Sequence, residues 1–122
     1  MSDQSMYREQ ILEHSKDPHN FREIKDATKT LKAKNPLCGD DLVVYLKIED
    51  HKITEASFSG QGCAISVAAA SLLTDYIKGK KIEEILALTN DTFKADILGI
   101  EPTPGRIKCA FLALNTVKQG IL

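Results

Sequence analysis

The sequence predicts an α+β domain, with a small three-stranded antiparallel sheet packed against about four to five helices. Three observations lead there. Residues 41–49 alternate: Leu42, Val44, Leu46 and Ile48 fall on one face, Val43, Tyr45 and Lys47 on the other. Asp50 and His51 read as a turn, and residues 53–59 return as a second strand with Ala56 and Phe58 on one face. Residues 64–77 are Ala-rich and carry Ile65, Val67, Leu72, Leu73, Tyr76 and Ile77, a helix buried on most sides.

The remaining elements follow in order. Residues 3–16 read as a helix with Tyr7, Ile11 and Leu12 as its apolar stripe, ended by Pro18. Residues 27–34 alternate weakly, Ala27, Leu31 and Ala33 against lysines, as an edge strand does. Gly60-Gln-Gly62 breaks the second hairpin strand. The Ala-rich helix ends at Gly79. Residues 81–89 form a shorter helix with Ile82, Ile85 and Leu86 inward. The stretch to Gly99 fits no single template. Thr103 can cap a last helix with Pro104 in its first turn, and Ile107, Ala110, Phe111, Leu114 and Val117 supply its apolar face up to Gly120.

With 122 residues, 43% of them hydrophobic, the chain suits one domain, residues 1–122, with one core. It contains no repeat, low-complexity tract or linker. Sixteen basic residues face seventeen acidic ones, so no broad field points to nucleic acid or an anionic membrane. No apolar run reaches the roughly 18 residues of a membrane span. The polar start, Met1 to Met6, lacks the layout of a signal peptide. A soluble, cytoplasmic protein is expected.

Three cysteines, Cys38, Cys63 and Cys109, cannot all pair within one chain. In a reducing compartment they are buried apolar residues, metal ligands or reactive thiols. Each falls at a junction between elements. Cys38 lies in the turn feeding the long strand, Cys63 opens the Ala-rich helix, and Cys109 is in the second turn of the last helix. Loop tips and helix starts collect on one edge of an α+β layer, so the three thiols can converge. The start of a helix favours an anion near Cys63. Arg106, three residues before Cys109, and Lys108 beside it favour thiolate there. Gly39 permits the bend that turns Cys38 and Asp40 toward one point. Three thiolates and one carboxylate can make a tetrahedral zinc set, and thiolates suit iron–sulfur clusters. The spacing alone equally admits three separate buried cysteines, since no Cys-x-x-Cys is present.

At these residues the sequence resembles the iron–sulfur cluster assembly scaffolds of the IscU, SufU and NifU amino-terminal type. The likeness runs from about Tyr7 to Gly120. "YREQILEHSKDPHNF" resembles the family's opening helix and its Asn-Pro-Arg-Asn-like turn. "NPLCGDDL", "ASFSGQGCAISVAAASLLTDYIKGK" and "PGRIKCAFLAL" resemble its three cysteine motifs. The resemblance implies a SufE/NifU-like fold, and a zinc ion or transient [2Fe–2S] cluster held by Cys38, Asp40, Cys63 and Cys109. Asp41 has no such role in the family and reads as a solvated residue at the strand start.

Two departures shape the expectation. The IscU branch has a histidine before the last cysteine, where this chain has Lys108, a protonated and poor ligand. "RIKC" resembles the SufU branch, but the insertion usual in that branch is missing between Leu86 and Pro104. The chain reads as an insertion-free relative between the branches. The nearest match to the IscU chaperone motif, Leu-Pro-Pro-Val-Lys, is Thr103-Pro-Gly-Arg106, so chaperone recognition is not carried over.

The resemblance implies a scaffold, a carrier rather than an enzyme. It would receive persulfide sulfur from a cysteine desulfurase, take up iron, and pass a transient [2Fe–2S] cluster to recipient apoproteins or cluster carriers. The alternative it implies is a zinc-dependent sulfurtransferase, with Cys38 first and Cys109 second as persulfide acceptor. A purely structural zinc module is the third reading. Arg106 and Lys108 are placed at the rim of the site. Tyr7 is a candidate desulfurase contact by analogy alone. His14, His19 and His51 read as surface or turn residues.

Overall fold

The computed structural model describes residues 4–36 and 39–122, with side chains from Arg8 onward apart from that gap. Cys38 and the Tyr7 side chain therefore lie outside the described residues. The element order is α1 (Gln4–Lys16), β1 (Lys29–Asn35), β2 (Asp40–Glu49), β3 (Lys52–Gln61), α2 (Ala64–Ile77), α3 (Ile82–Leu86), α4 (Asn90–Thr92) and α5 (Ile107–Gly120). A π-helical turn, Phe93–Leu98, continues α4, and a 3-10 turn, Pro104–Arg106, leads into α5.

The sheet is antiparallel in the order β1-β2-β3. This is the expected α+β fold, three strands with five helices. The alternation in β2 buries Leu42, Val44 and Leu46 completely. Ala33 of β1 and Ala56 and Phe58 of β3 join them in a core closed by Ala68, Leu73 and Ile77 of α2 and Ala110, Leu114 and Val117 of α5. Small side chains along α2 let neighbours approach on several sides, so Ser66, Ala68, Ala69, Ala70, Ser71, Leu72, Leu73 and Thr74 are all buried. Tyr45, on the other face of β2, is also buried, and its hydroxyl bonds Ser59 Oγ at 3.0 Å.

Several local expectations change. β3 does not break at Gly60 but runs on to Gln61. Gly60 has φ +111°, and a Cβ there would lie 2.2 Å from the Asp41 carbonyl oxygen, so glycine is what lets β2 and β3 stay paired at this end. The segment without a template is helical. Thr89 caps α4 by accepting the Thr92 N–H, and Phe93 and Leu98 are fully buried. The last helix starts late, because Pro104–Arg106 winds as a tighter 3-10 turn and the Thr103 side chain makes no cap bond. Ile107 is consequently exposed instead of joining the apolar face. Leu12 is exposed as well. The inward stripe of α1 runs through Ile11 and His14 instead.

Candidate metal centre

The site begins with the pleat of β2. Asp40 shares a face with Leu42, Val44 and Leu46, so the strand delivers its carboxylate to the core side, where only 2% of the residue stays exposed. Asp41, one residue on, points the other way and is exposed. Gly39 precedes them at φ +71°, a conformation that suits glycine.

The Asp40 carboxylate lies at the amino end of α2. Cys63, the N-cap residue, donates its backbone N–H to Asp40 Oδ1 at 2.9 Å, and Ser66 Oγ donates to Oδ2 at 2.6 Å. Asp40 thus caps the helix from a different strand, a job the Cys63 side chain does not do. Gly62 makes the room. A Cβ there would sit 2.8 Å from Asp40 Oδ1 and 3.3 Å from Ser66 Cβ.

Cys109 enters from the first turn of α5, one turn earlier in the helix than the spacing suggested, and is fully buried. Asn35 Nδ2 donates toward its sulfur at 3.8 Å. Asn35 is the β1 partner of Asp40 in the sheet register, so one strand pair positions both. Ser66 Oγ also lies 3.5 Å from Cys63 Sγ and 3.5 Å from the Cys109 carbonyl oxygen.

The structure brings together one ligand atom each of Asp40, Cys63 and Cys109, all within 4.8 Å of one another. Ligands on a tetrahedral ion with metal–sulfur bonds of about 2.3 Å stand about 3.7 Å apart, so a small closure of these three suffices. The donor set is soft sulfur with one hard oxygen, suited to zinc or to iron–sulfur chemistry. The amino ends of α2 and α5 both face the pocket, and their partial positive charge favours anionic contents. Burial of Asp40 works against its ionised form. The hydrogen bonds from Ser66, the Cys63 N–H and the two thiols outweigh that and hold its pKa below the ordinary carboxylate value.

The other residues expected at the site are placed as follows. Lys108 is exposed and lines a groove with Lys32, Lys34 and Asn35, next to the Cys109 sulfur through Asn35. Arg106 is exposed in the 3-10 turn that leads into α5. It lines a separate groove with Arg8, Ile65, Ile100 and Glu101. Sequence reasoning overlooked Ser66, Asn35 and Gly62. Ser66 could have been found, since it follows Cys63 by three residues, the spacing that turns an N3 side chain back to the helix start. Asn35 needed the strand register, which the weak β1 pattern did not give.

The comparisons with known proteins agree with this architecture. The family model described as NifU-like N terminal domain matches residues 6–122. The chain is 35% identical to the iron–sulfur cluster assembly scaffold protein IscU 1 of Archaeoglobus fulgidus, covering 96% of this chain and 75% of that one. It is 32% identical to the zinc-dependent sulfurtransferase SufU of Bacillus subtilis, covering 96% and 90%. A crystal structure of a hypothetical protein superposes with a TM-score of 0.81 at 34% identity, over 96% of this chain and 97% of that one. A fold of this kind, with sulfur and carboxylate donors gathered at two helix starts, defines a class of small metal-handling proteins. Within it, this chain belongs to the NifU-like N-terminal domain family.

Proposed function

We infer that residues 1–122 form one scaffold domain for iron–sulfur cluster assembly. The observation that carries this reading is the convergence of Asp40, Cys63 and Cys109 at the amino ends of two helices. Cys38, two residues before Asp40, is the fourth member by the family resemblance. The cluster is the cargo of this site, built on the chain and then released to a recipient apoprotein or cluster carrier.

Sulfur comes as the outer atom of a persulfide on a cysteine desulfurase. A thiolate of this chain attacks that atom, a new S–S bond forms, and the desulfurase cysteine leaves as thiolate. Cys38, followed in sequence by Gly39, is the first choice of acceptor. Cys109 is the second. It is buried, so it can act only if the pocket opens. Asp40 serves as the weak corner. It is a hard oxygen among soft ligands, and both its oxygens already accept hydrogen bonds from the protein. That arrangement favours release over retention.

A second reading is a zinc-dependent sulfurtransferase. Lys108 and the "RIKC" string, which resemble the SufU branch, favour it, as does the likeness to SufU itself. Zinc held by the same residues would be resident there, keeping their thiols deprotonated.

One anaerobic assay separates the two. The protein is mixed with desulfurase, cysteine and ferrous iron, and the visible spectrum is followed. A scaffold develops cluster absorption, and Asp40→Ala makes that absorption longer-lived. Persulfide transfer with zinc retained and no cluster band would establish the sulfurtransferase and overturn the scaffold.

A further inference from the structure

A second group of metal-binding side chains lies away from the cysteine pocket. His14 on α1, His19 in the turn that follows, and Asp75 near the end of α2 each offer a ligand atom within 4.8 Å of the other two. Asp75 is twelve residues beyond Cys63 on α2 or its cap. At 1.5 Å per residue it stands about 18 Å further along the helix axis, too far to share an ion with Cys63.

The group is firmly assembled. His14 is buried, with 7% exposed, and its Nδ1 lies 2.6 Å from Ser71 Oγ. Ser71 Oγ also accepts the His19 backbone N–H at 2.8 Å. His19 Nδ1 lies 2.6 Å from Asp75 Oδ2, while Asp75 Oδ1 accepts from Asn20 Nδ2 at 2.8 Å. The two imidazole rings stand 4.3 Å apart between centroids. A bare pair of histidines needs no such carboxylate, hydroxyl and amide frame. This frame fixes ring orientation, as the outer partners of metal-bound histidines do. Both rings open on one groove, whose other walls include Glu13, Asp17 and Lys16.

We propose that His14, His19 and Asp75 form a second binding site, for a borderline divalent cation such as zinc. Imidazole and carboxylate are the donors such ions take. The ion takes the place of the hydrogen bond between His19 Nδ1 and Asp75 Oδ2 and adds a bond to His14. Burial, and then the neighbouring His19, hold the His14 pKa below its ordinary value, so its ring is neutral and ready to ligate. Because the three residues come from α1, the turn and α2, a bound ion staples α1 onto α2.

The test uses wild-type protein already carrying one equivalent of zinc, so that the cysteine pocket is filled. Further zinc chloride is titrated in and followed by calorimetry and by histidine ring 1H–15N NMR. The expected result is a second binding event that shifts His14 and His19 while His51, in the β2–β3 turn, stays still. His19→Gln, in an exposed position, abolishes that event. Asp75→Asn, which removes the anionic ligand, weakens it as well. Thermal unfolding of both metal-free variants checks that they fold. No second event, or one that survives His19→Gln, overturns the site and leaves a hydrogen-bonded clamp between α1 and α2.

Discussion

Ser66 Oγ donates to Asp40 Oδ2 at 2.6 Å, and through this bond a helix side chain holds the strand carboxylate inside the cysteine pocket. The Cys63 N–H takes the other oxygen. Asp40 is therefore restrained on both oxygens by α2 before any ion arrives. A carboxylate tied in this way, with the two thiols also donating to it, is too constrained to wrap around a metal.

Removing Ser66 should show this restraint directly. Ser66→Ala leaves Asp40 buried with one donor fewer, a change that costs about 1–3 kcal/mol. Zinc supplies the missing positive partner. The melting temperature of the metal-free variant should fall below wild type, and zinc should raise it by more in the variant than in wild type. Equal zinc-induced shifts would mean that Ser66 does not govern the carboxylate.

Gly62→Ala tests the space around the same group. The added Cβ meets Asp40 Oδ1 at 2.8 Å, and Asp40 can yield only by stretching its bond to the Cys63 N–H. The expected loss of stability is about 1–3 kcal/mol, in line with overpacking at a well-filled position. Zinc affinity should fall with it, measured by competition against a chelating dye. A variant with wild-type affinity would place Asp40 outside the metal's reach.

How far these relationships were legible depended on their range. The difference between Asp40 and Asp41 rested on the family resemblance, but the pleat of β2 from Leu42 onward was readable, because strand alternation is local. So were the bounds of α2, where a run of small apolar residues ends at a glycine. The partners of Asp40 were not. The spacing from Cys63 could place Ser66 at the helix start, but that it meets the Asp40 carboxylate, and that Asn35 beside Asp40 in the register meets the Cys109 sulfur, follows only once β1, β2, α2 and α5 are laid side by side. His14 was misread for the same reason. A histidine on a charged helix looks solvated until Ser71, on another helix, is found 2.6 Å from its ring. The segment from Asn90 to Leu98 defeated periodicity because its π-helical turn has no 3.6-residue repeat.

Gly60 should be the least replaceable of the glycines near the site. Its φ of +111° is strained for any L side chain, and Ala would press on the Asp41 carbonyl at 2.2 Å, which is backbone and cannot turn aside. Gly60→Ala is expected to cost more than about 3 kcal/mol and to separate β2 from β3 at the end where Asp40 emerges. Urea unfolding measures the loss. A midpoint within experimental error of wild type would mean that the strand end relaxes freely.

Lys108 offers a prediction about the partner. Its groove also carries Lys32 and Lys34, from β1, and Asn35 joins that groove to the Cys109 sulfur. Three cations in one groove favour the approach of an acidic surface or of a persulfide anion. Lys108→Gln should therefore slow persulfide transfer from a desulfurase several-fold at low ionic strength. The difference should shrink at about 1 M salt, where the screening length falls to about 3 Å. Lys52→Gln, at the far end of β3, should leave the rate unchanged at either salt concentration. Transfer rates measured by mass spectrometry of the modified cysteine decide between the outcomes. A defect in Lys108→Gln that persists at high salt would point to direct contact at the thiol rather than steering.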